Sequence, residues 1–360
     1  MNVLIVAGGT GTRLWPASRR SQPKQLLKLL GDKTLLQNTY QRFAGFAKPG
    51  QIFVATTAAY APLIKRQLAR VPAENFSLEP TLRDRGPAIG LAALIMEHRS
   101  PGQTFVTAWS DHHINPKQKY LSTLRRAERY LKQQPQTTLQ IGVTPTFPHT
   151  GMGYIKQGRK IANRQGLALY QADSFKEKPD LATARRFISS KRYLWNTGIF
   201  MWNTRTLLGL YQRHLPEIYR LLMKIKPALG TGRQQAIINR WYPRMPHADI
   251  ESHLLEKLTA NLAVIAADFN WADVGSWKII KDIQSKSRDN VSRGLHFDQN
   301  SRGSLVYNYN TKQFVATLGL DNVVIIVTPE AILVANKNNS EELKGLVRTL
   351  QKNPRFKRFL

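Results

Sequence analysis

The sequence predicts an α/β protein, a Rossmann-like mixed sheet flanked by helices with a small β-rich piece behind it. Three observations carry this. Short apolar runs alternate with helix-like stretches through the first 150 residues. The alternation then gives way to a mixed pattern of strands and helices. After a polar stretch at 285–289, closely spaced short strands follow, and a helical pattern closes the chain. The expected division is a first domain over 1–288 and a C-terminal β-rich domain over 289–360.

In chain order, strands are expected over 3–7, 52–56, 76–79, 105–108 and 139–143, and helices over 35–46, 59–70, 87–98 and 117–133. Such β-α repetition predicts a parallel sheet with helices on both faces. Ligands of such sheets bind beyond the carboxyl ends of the strands. The loops at those ends, 8–13, 80–87 and 111–115, are the chemically unusual segments of this half. Further along, strands are expected over 154–156, 167–175 and 199–202, with helices over 180–189, 204–214 and 250–258. The C-terminal strands fall at 304–309, 314–318, 323–327 and 332–335. Thr328-Pro329-Glu330 turns between the last two, and a helix covers 340–351.

Among 360 residues, 53 are basic and 23 acidic, a net charge of +30. The basic residues are dispersed rather than gathered in one block, which favours a general surface bias over a nucleic-acid or membrane footprint. DNA binding is therefore expected to be weak and lost with salt. The absence of cysteine excludes disulfides, thiolate-bound zinc and thiol catalysis. No basic region precedes the apolar run at 3–7, so it reads as a buried strand rather than a leader. No stretch of about 18 apolar residues suggests a membrane span. The expected location is cytoplasmic.

The strongest signal is Gly8-Gly9-Thr10-Gly11-Thr12-Arg13-Leu14-Trp15-Pro16-Ala17-Ser18-Arg19, followed by Pro23-Lys24-Gln25. Glycines directly after a buried strand let backbone N–H groups approach phosphate oxygens. Arg13 and Lys24 can neutralise a polyphosphate. No Gly-Lys-Ser/Thr follows at P-loop spacing, and the third glycine of the dinucleotide fingerprint is missing. Asp111 and Asp273 each lie just beyond a strand-like segment. Such carboxylates suit Mg²⁺, although turn and helix-cap aspartates look the same in sequence. Glu79 has the carboxylate that would accept both N1–H and N2–H₂ of guanine, but a strand-end surface glutamate reads identically.

The glycine segment resembles the signature of sugar nucleotidyltransferases. Its Arg-Leu-Trp-Pro-x-Ser-Arg…Pro-Lys-Gln form resembles the mannose-1-phosphate guanylyltransferases. Six further segments are similar to that family in the same order: Glu79-Pro80-Thr81-Leu82-Arg83-Asp84 with Pro87-Ala88-Ile89, Ser110-Asp111-His112, Gly151-Met152-Gly153-Tyr154-Ile155, Phe175-Lys176-Glu177-Lys178-Pro179, Trp195-Asn196-Thr197-Gly198-Ile199-Phe200, and Trp271-Ala272-Asp273-Val274-Gly275-Ser276-Trp277. The C-terminal strands resemble the family's short β-helical tail.

The resemblance implies a GT-A-like nucleotidyltransferase domain that joins GTP to mannose 1-phosphate with Mg²⁺ as cofactor. It implies that Arg13 and Lys24 hold the nucleotide phosphates, and that Asp111 and Asp273 hold the metal. Gly8, Gly9, Gly11, Thr12, Glu79, Pro80, Arg83, Pro87 and Ala88 would bind the nucleotide. Gly153, Glu177, Lys178 and Asn196 would bind the sugar phosphate. A homodimer is the family's common assembly. Residue 360 comes too early for the appended cupin-like isomerase domain, so a single activity is expected.

Four places depart from the family pattern. These are Trp109, Met152, Arg85-Gly86, and Asp249-Ile250-Glu251-Ser252, to which no role is carried. Other sugar 1-phosphates or nucleotides stay open as substrates. So does a metal-dependent phosphoesterase, because Asp111-His112-His113 matches the DHH tripeptide.

Overall fold

A computed structural model describes residues 1–9, 11–258, 261–285 and 288–360. Thr10 of the glycine segment and Lys286 and Ser287 of the polar stretch therefore lie outside the described residues. The chain forms two compact units. One comprises Met1–Gly8, Thr39–Trp109 and Ile114–Trp271, the other Gly9–Asn38, Ser110–His113 and Ala272–Leu360.

The strands up to residue 273 are β1 (Asn2–Val6), β2 (Ile52–Thr57), β3 (Phe76–Glu79), β4 (Thr104–Trp109), β5 (His112–Asn115), β6 (Thr138–Val143), β7 (Tyr154–Lys160), β8 (Leu169–Lys176), β9 (Tyr193–Asn203), β10 (Leu262–Ala266) and β11 (Asn270–Asp273). Nine of them build the sheet of the first unit in the order β3-β2-β1-β4-β9-β6-β10-β8-β7, and β5 pairs with β11 in a ribbon. The left half is parallel, as β-α repetition requires. Beyond β4 the sheet is mixed, as expected, with β10 parallel to β6 but antiparallel to β8. There β9 runs antiparallel to both β4 and β6, and β7 and β8 are antiparallel neighbours. Only 199–202 of β9 is legible as strand in the sequence. The reason is that nine consecutive residues of β9 are buried, so no two-residue alternation marks it. Gly198, at φ 69°, also interrupts the run with a conformation that other residues rarely adopt.

The helix Arg85–Arg99 is buried from Gly86 to Met96 and packs against Thr204–His214 and Pro216–Ile225. Each large apolar side chain so buried contributes about 1.5–3 kcal/mol. Other expected helices shorten. The stretch 35–46 is helical only over Leu35–Arg42, and 59–70 only over Ala61–Gln67. The stretch 250–258 becomes one turn, Ile250–His253, and a 3₁₀ turn, Leu255–Lys257. The helices Pro216–Ile225, Gln234–Trp241 and Trp277–Gln284 lie outside the expected ones.

The second unit holds β12 (Val291–Arg293), β13 (His296–Gln299), β14 (Leu305–Asn308), β15 (Val315–Leu318), β16 (Val323–Val327) and β17 (Ile332–Asn336). Strands β12, β14 and β16 stack in parallel, β13 and β15 form a second parallel pair, and β17 folds back on β16. Alternation between the two stacks is the pattern of a short β-helix. The turn at 328–331 closes through Thr328 N–H donating to the Ala331 carbonyl at 3.0 Å. The core of this unit joins Leu14, Trp15, Leu27 and Leu29 to Trp277, Leu305, Tyr307 and Ile326. The Tyr307 hydroxyl donates to the Leu29 carbonyl at 2.7 Å, and Trp277 Nε1 to the Trp15 carbonyl at 3.2 Å. The segment bearing Arg13 and Lys24 is thus anchored on the C-terminal strands.

Candidate active site

In the second unit, the glycine segment leads into a 3₁₀ turn, Thr12–Leu14, with Gly11 at φ 69° as its N-cap. A Cβ on Gly11 would lie 2.5 Å from Lys24 Cβ and 2.7 Å from Ser18 Oγ, so a larger residue cannot enter without moving Lys24. Lys24 Nζ donates to Asp111 Oδ2 and lies 3.9 Å from Asp273 Oδ1. Both oxygens reach one ammonium, so they lie within about 7 Å of each other. The Val274 N–H donates to the Asp111 carbonyl at 2.9 Å, which fixes the two aspartate segments side by side. Arg13 lies close by: a Cβ on Gly275 would sit 3.0 Å from Arg13 Nη2 and 3.4 Å from Asp273 Oδ2.

The electrostatics follow from this geometry. Burial pulls the Lys24 pKa down, but Asp111 and Asp273 together raise it above the usual lysine range. Burial favours a protonated Asp111, yet Lys24 and His112 hold its carboxyl below the usual range. Asp273 Oδ1 is buried and has no hydrogen-bond partner. Among the described residues no group of three or more His, Asp or Glu could hold a metal ion. Two carboxylates, one of them with an unsatisfied oxygen, fit Mg²⁺, which is commonly held by one or two carboxylates plus substrate phosphates.

In the first unit, Glu79 ends β3, 3% exposed, and Tyr242 Oη donates to its Oε2 at 2.5 Å. Burial pushes the carboxyl up to about 7 against the Tyr242 hydrogen bond. Gly8 is adjacent: a Cβ there would lie 4.0 Å from Glu79 Oε1. Arg83 donates instead to the Pro243 carbonyl, a tie that holds the loop of Pro80 in place. Pro87 and Ala88 are buried in the first turn of the helix Arg85–Arg99.

Also in the first unit, Gly153, Glu177 and Asn196 converge. A Cβ on Gly153 would lie 2.5 Å from Glu177 Oε2 and 3.2 Å from Asn196 Cβ. Asn196 Oδ1 accepts from Gln140 Nε2 at 2.5 Å and from the Gly198 N–H at 2.6 Å, which orients its amide. Lys178 Nζ donates to Glu177 Oε1 at 2.5 Å, while Glu177 Oε2 is buried without a partner. Three of the family departures meet beside this group. Arg85 donates to Asp249 at 2.5 Å and to Glu251 at 2.6 Å, and lies 5.6 Å from the Trp109 ring centre. Burial raises the Glu251 carboxyl to about 8. Arg85 opposes the shift, whereas Asp249 and Glu177 add to it. The sequence shows each of these residues only as a departure. Their association spans 164 and 166 positions of chain and has no local signal.

Fold and site together define a nucleotidyltransferase. The sequence profile described as Nucleotidyl transferase matches residues 2–290, and one described as MannoseP isomerase/GMP-like beta-helix domain matches 296–350. The chain is 32% identical to a mannose-1-phosphate guanylyltransferase of Escherichia coli, over 98% of this chain and 74% of that protein. It is 33% identical to the mannose-1-phosphate guanylyltransferase RfbM of Salmonella typhimurium, over 98% of this chain and 73% of the other. A crystal structure from Thermus thermophilus, described as a mannose-1-phosphate geranyltransferase, superposes with a TM-score of 0.86 at 28% identity, covering 97% of this chain and 99% of that one. The chain belongs to the mannose-1-phosphate guanylyltransferase family.

Proposed function

We propose that the chain transfers GMP from GTP to mannose 1-phosphate, giving GDP-mannose and pyrophosphate. The observation that carries this reading is Lys24, bracketed by Asp111 and Asp273 beneath Gly11. Such a site neutralises a polyphosphate at the place where charge builds. An oxygen of the sugar phosphate attacks the α-phosphorus in line, the bond to the bridging oxygen breaks, and pyrophosphate leaves with that electron pair. Arg13 and Lys24 hold the phosphate oxygens, and N–H groups of Gly9, Gly11 and Thr12 approach them. Asp111 and Asp273 would hold Mg²⁺, which when bound offsets phosphate charge. Glu79 accepts the guanine N–H groups, with Gly8, Pro80, Arg83, Pro87 and Ala88 shaping the base site. Glu177, Lys178, Asn196 and Gly153 take the sugar phosphate.

The family placement leaves the Asp111-His112-His113 tripeptide without its phosphoesterase reading. No described helix is long and apolar enough to cross a membrane. A cytoplasmic location, no specific nucleic-acid partner and residues 289–360 as a separate C-terminal domain complete the proposal. A homodimer would cover Leu295, Phe297, Phe314 and Leu318, which are exposed on or beside β13 and β15. The test is pyrophosphate release over a matrix of nucleoside triphosphates and sugar 1-phosphates. GTP with mannose 1-phosphate should give the highest kcat/KM, and a preference for another pair would reassign the substrates.

A further inference from the structure

Behind the glycine segment, wholly within the second unit, lies a cavity of about 490 Å³. Its size is that of a small-molecule site, for which about 300–1,000 Å³ is typical. Its charged lining is Arg19, Lys28 and Arg293 against a single carboxylate, Glu330. Arg19 Nη2 donates to Thr328 Oγ1 at 2.9 Å and to Glu330 Oε2 at 2.8 Å, and Arg19 Nε donates to the Pro16 carbonyl at 2.9 Å. The guanidinium is held in place, but its anionic partner is half exposed and can swing into solvent. Arg293 Nη1 is fixed by the carbonyls of Lys28 and Gly31 at 2.7 and 3.0 Å. Tyr309 lines the same cavity and gives it an aromatic wall. Arg19 belongs to the Arg-Leu-Trp-Pro-x-Ser-Arg signature, yet no part of the transfer reaction uses it.

We propose that this cavity binds a phosphate-bearing small molecule, whose phosphate replaces the Glu330 carboxylate on Arg19. Arg19, Lys28 and Arg293, the last also 3.8 Å from the Asp32 carboxylate, outweigh Glu330 and match a phosphate monoester dianion better than a carboxylate, and a guanidinium pairs with two phosphate oxygens at once. The occupant would sit against the segment that begins at Arg13, and its binding does not depend on which nucleotide or sugar the enzyme uses.

The test is isothermal titration of the full chain with glucose 6-phosphate, whose phosphate is not on the anomeric carbon. The expected result is one site per chain. Glu330→Gln should tighten binding several-fold by removing the competing anion, and Arg19→Gln should weaken it by about tenfold or more. Lys24→Ala should leave it in place. Because Glu330→Gln predicts a gain, loss of structure in the Arg19 variant cannot imitate the full pattern. Absence of binding to wild type up to about 10 mM overturns the proposal. So does an unchanged or weaker affinity in Glu330→Gln, and so does binding that Lys24→Ala abolishes while Arg19→Gln retains it.

Discussion

Gly11 and Lys24 are packed so closely that a Cβ on the glycine would meet the lysine Cβ at 2.5 Å. Gly11→Ala must displace Lys24 from Asp111, and it also forces alanine into a left-handed conformation at a cost of about 1–2 kcal/mol. A displacement of that kind costs about 10²-fold in kcat/KM. Gly9→Ala, whose Cβ would stand 3.9 Å from Lys24 Cε, should keep wild-type thermal stability. Equal kcat/KM for Gly11→Ala and wild type would remove the close packing from the mechanism.

If Glu79 reads the guanine edge as proposed, nucleotide recognition depends on pH. Its carboxyl is raised to about 7, and guanine requires the ionised form as a double acceptor. KM for GTP should therefore rise as pH falls below about 7, approaching tenfold per unit. Glu79→Gln should flatten this profile and narrow the preference for GTP over ITP by about 1–3 kcal/mol. A GTP/ITP ratio that the variant leaves untouched would exclude the residue from base reading.

Asp111→Asn and Asp273→Asn should each lower kcat by about 10²–10⁴, since both carboxylates address one centre at Lys24. The double variant should be little worse than either single one, because residues acting as a unit are not additive. EDTA should stop the wild-type reaction and Mg²⁺ restore it. Multiplicative losses in the double variant would mean two independent roles.

The Arg85–Asp249–Glu251 group should be visible in stability rather than rate. Glu251 is raised from 4.5 to about 8 in the folded chain. The folded state therefore holds a proton that the unfolded state releases. The contribution is full below about pH 4.5 and is lost as pH rises through about 8, at up to about 1.4 kcal/mol per unit. Glu251→Gln removes this slope. Urea midpoints at pH 6 and pH 8 should show the variant gaining on wild type as pH rises, and a constant difference would contradict the shift.

The sequence made the parallel half of the sheet legible, because β1 to β4 alternate with helices at regular spacing and end in loops of unusual composition. It hid β9, whose uniform burial leaves no period, and β12 and β13, which are short and half exposed. The candidate site residues were readable where a local motif carries them, as in the glycine segment or Glu177-Lys178-Pro179. Lys24, Asp111 and Asp273 meet only because the fold returns to one place from three distant segments. The pairing of Arg85 with Asp249 and Glu251 has the same origin, as does the cavity at Arg19, whose wall comes from the C-terminal strands.

In the proposed reaction an oxygen of the sugar phosphate attacks the α-phosphorus of GTP. Mannose 1-phosphate labelled with ¹⁸O on its phosphate, incubated with GTP, Mg²⁺ and the enzyme, tests it by mass spectrometry. GDP-mannose should keep every labelled oxygen, and pyrophosphate should carry none. Label in the pyrophosphate, or release of GMP or GDP without GDP-mannose, would contradict it.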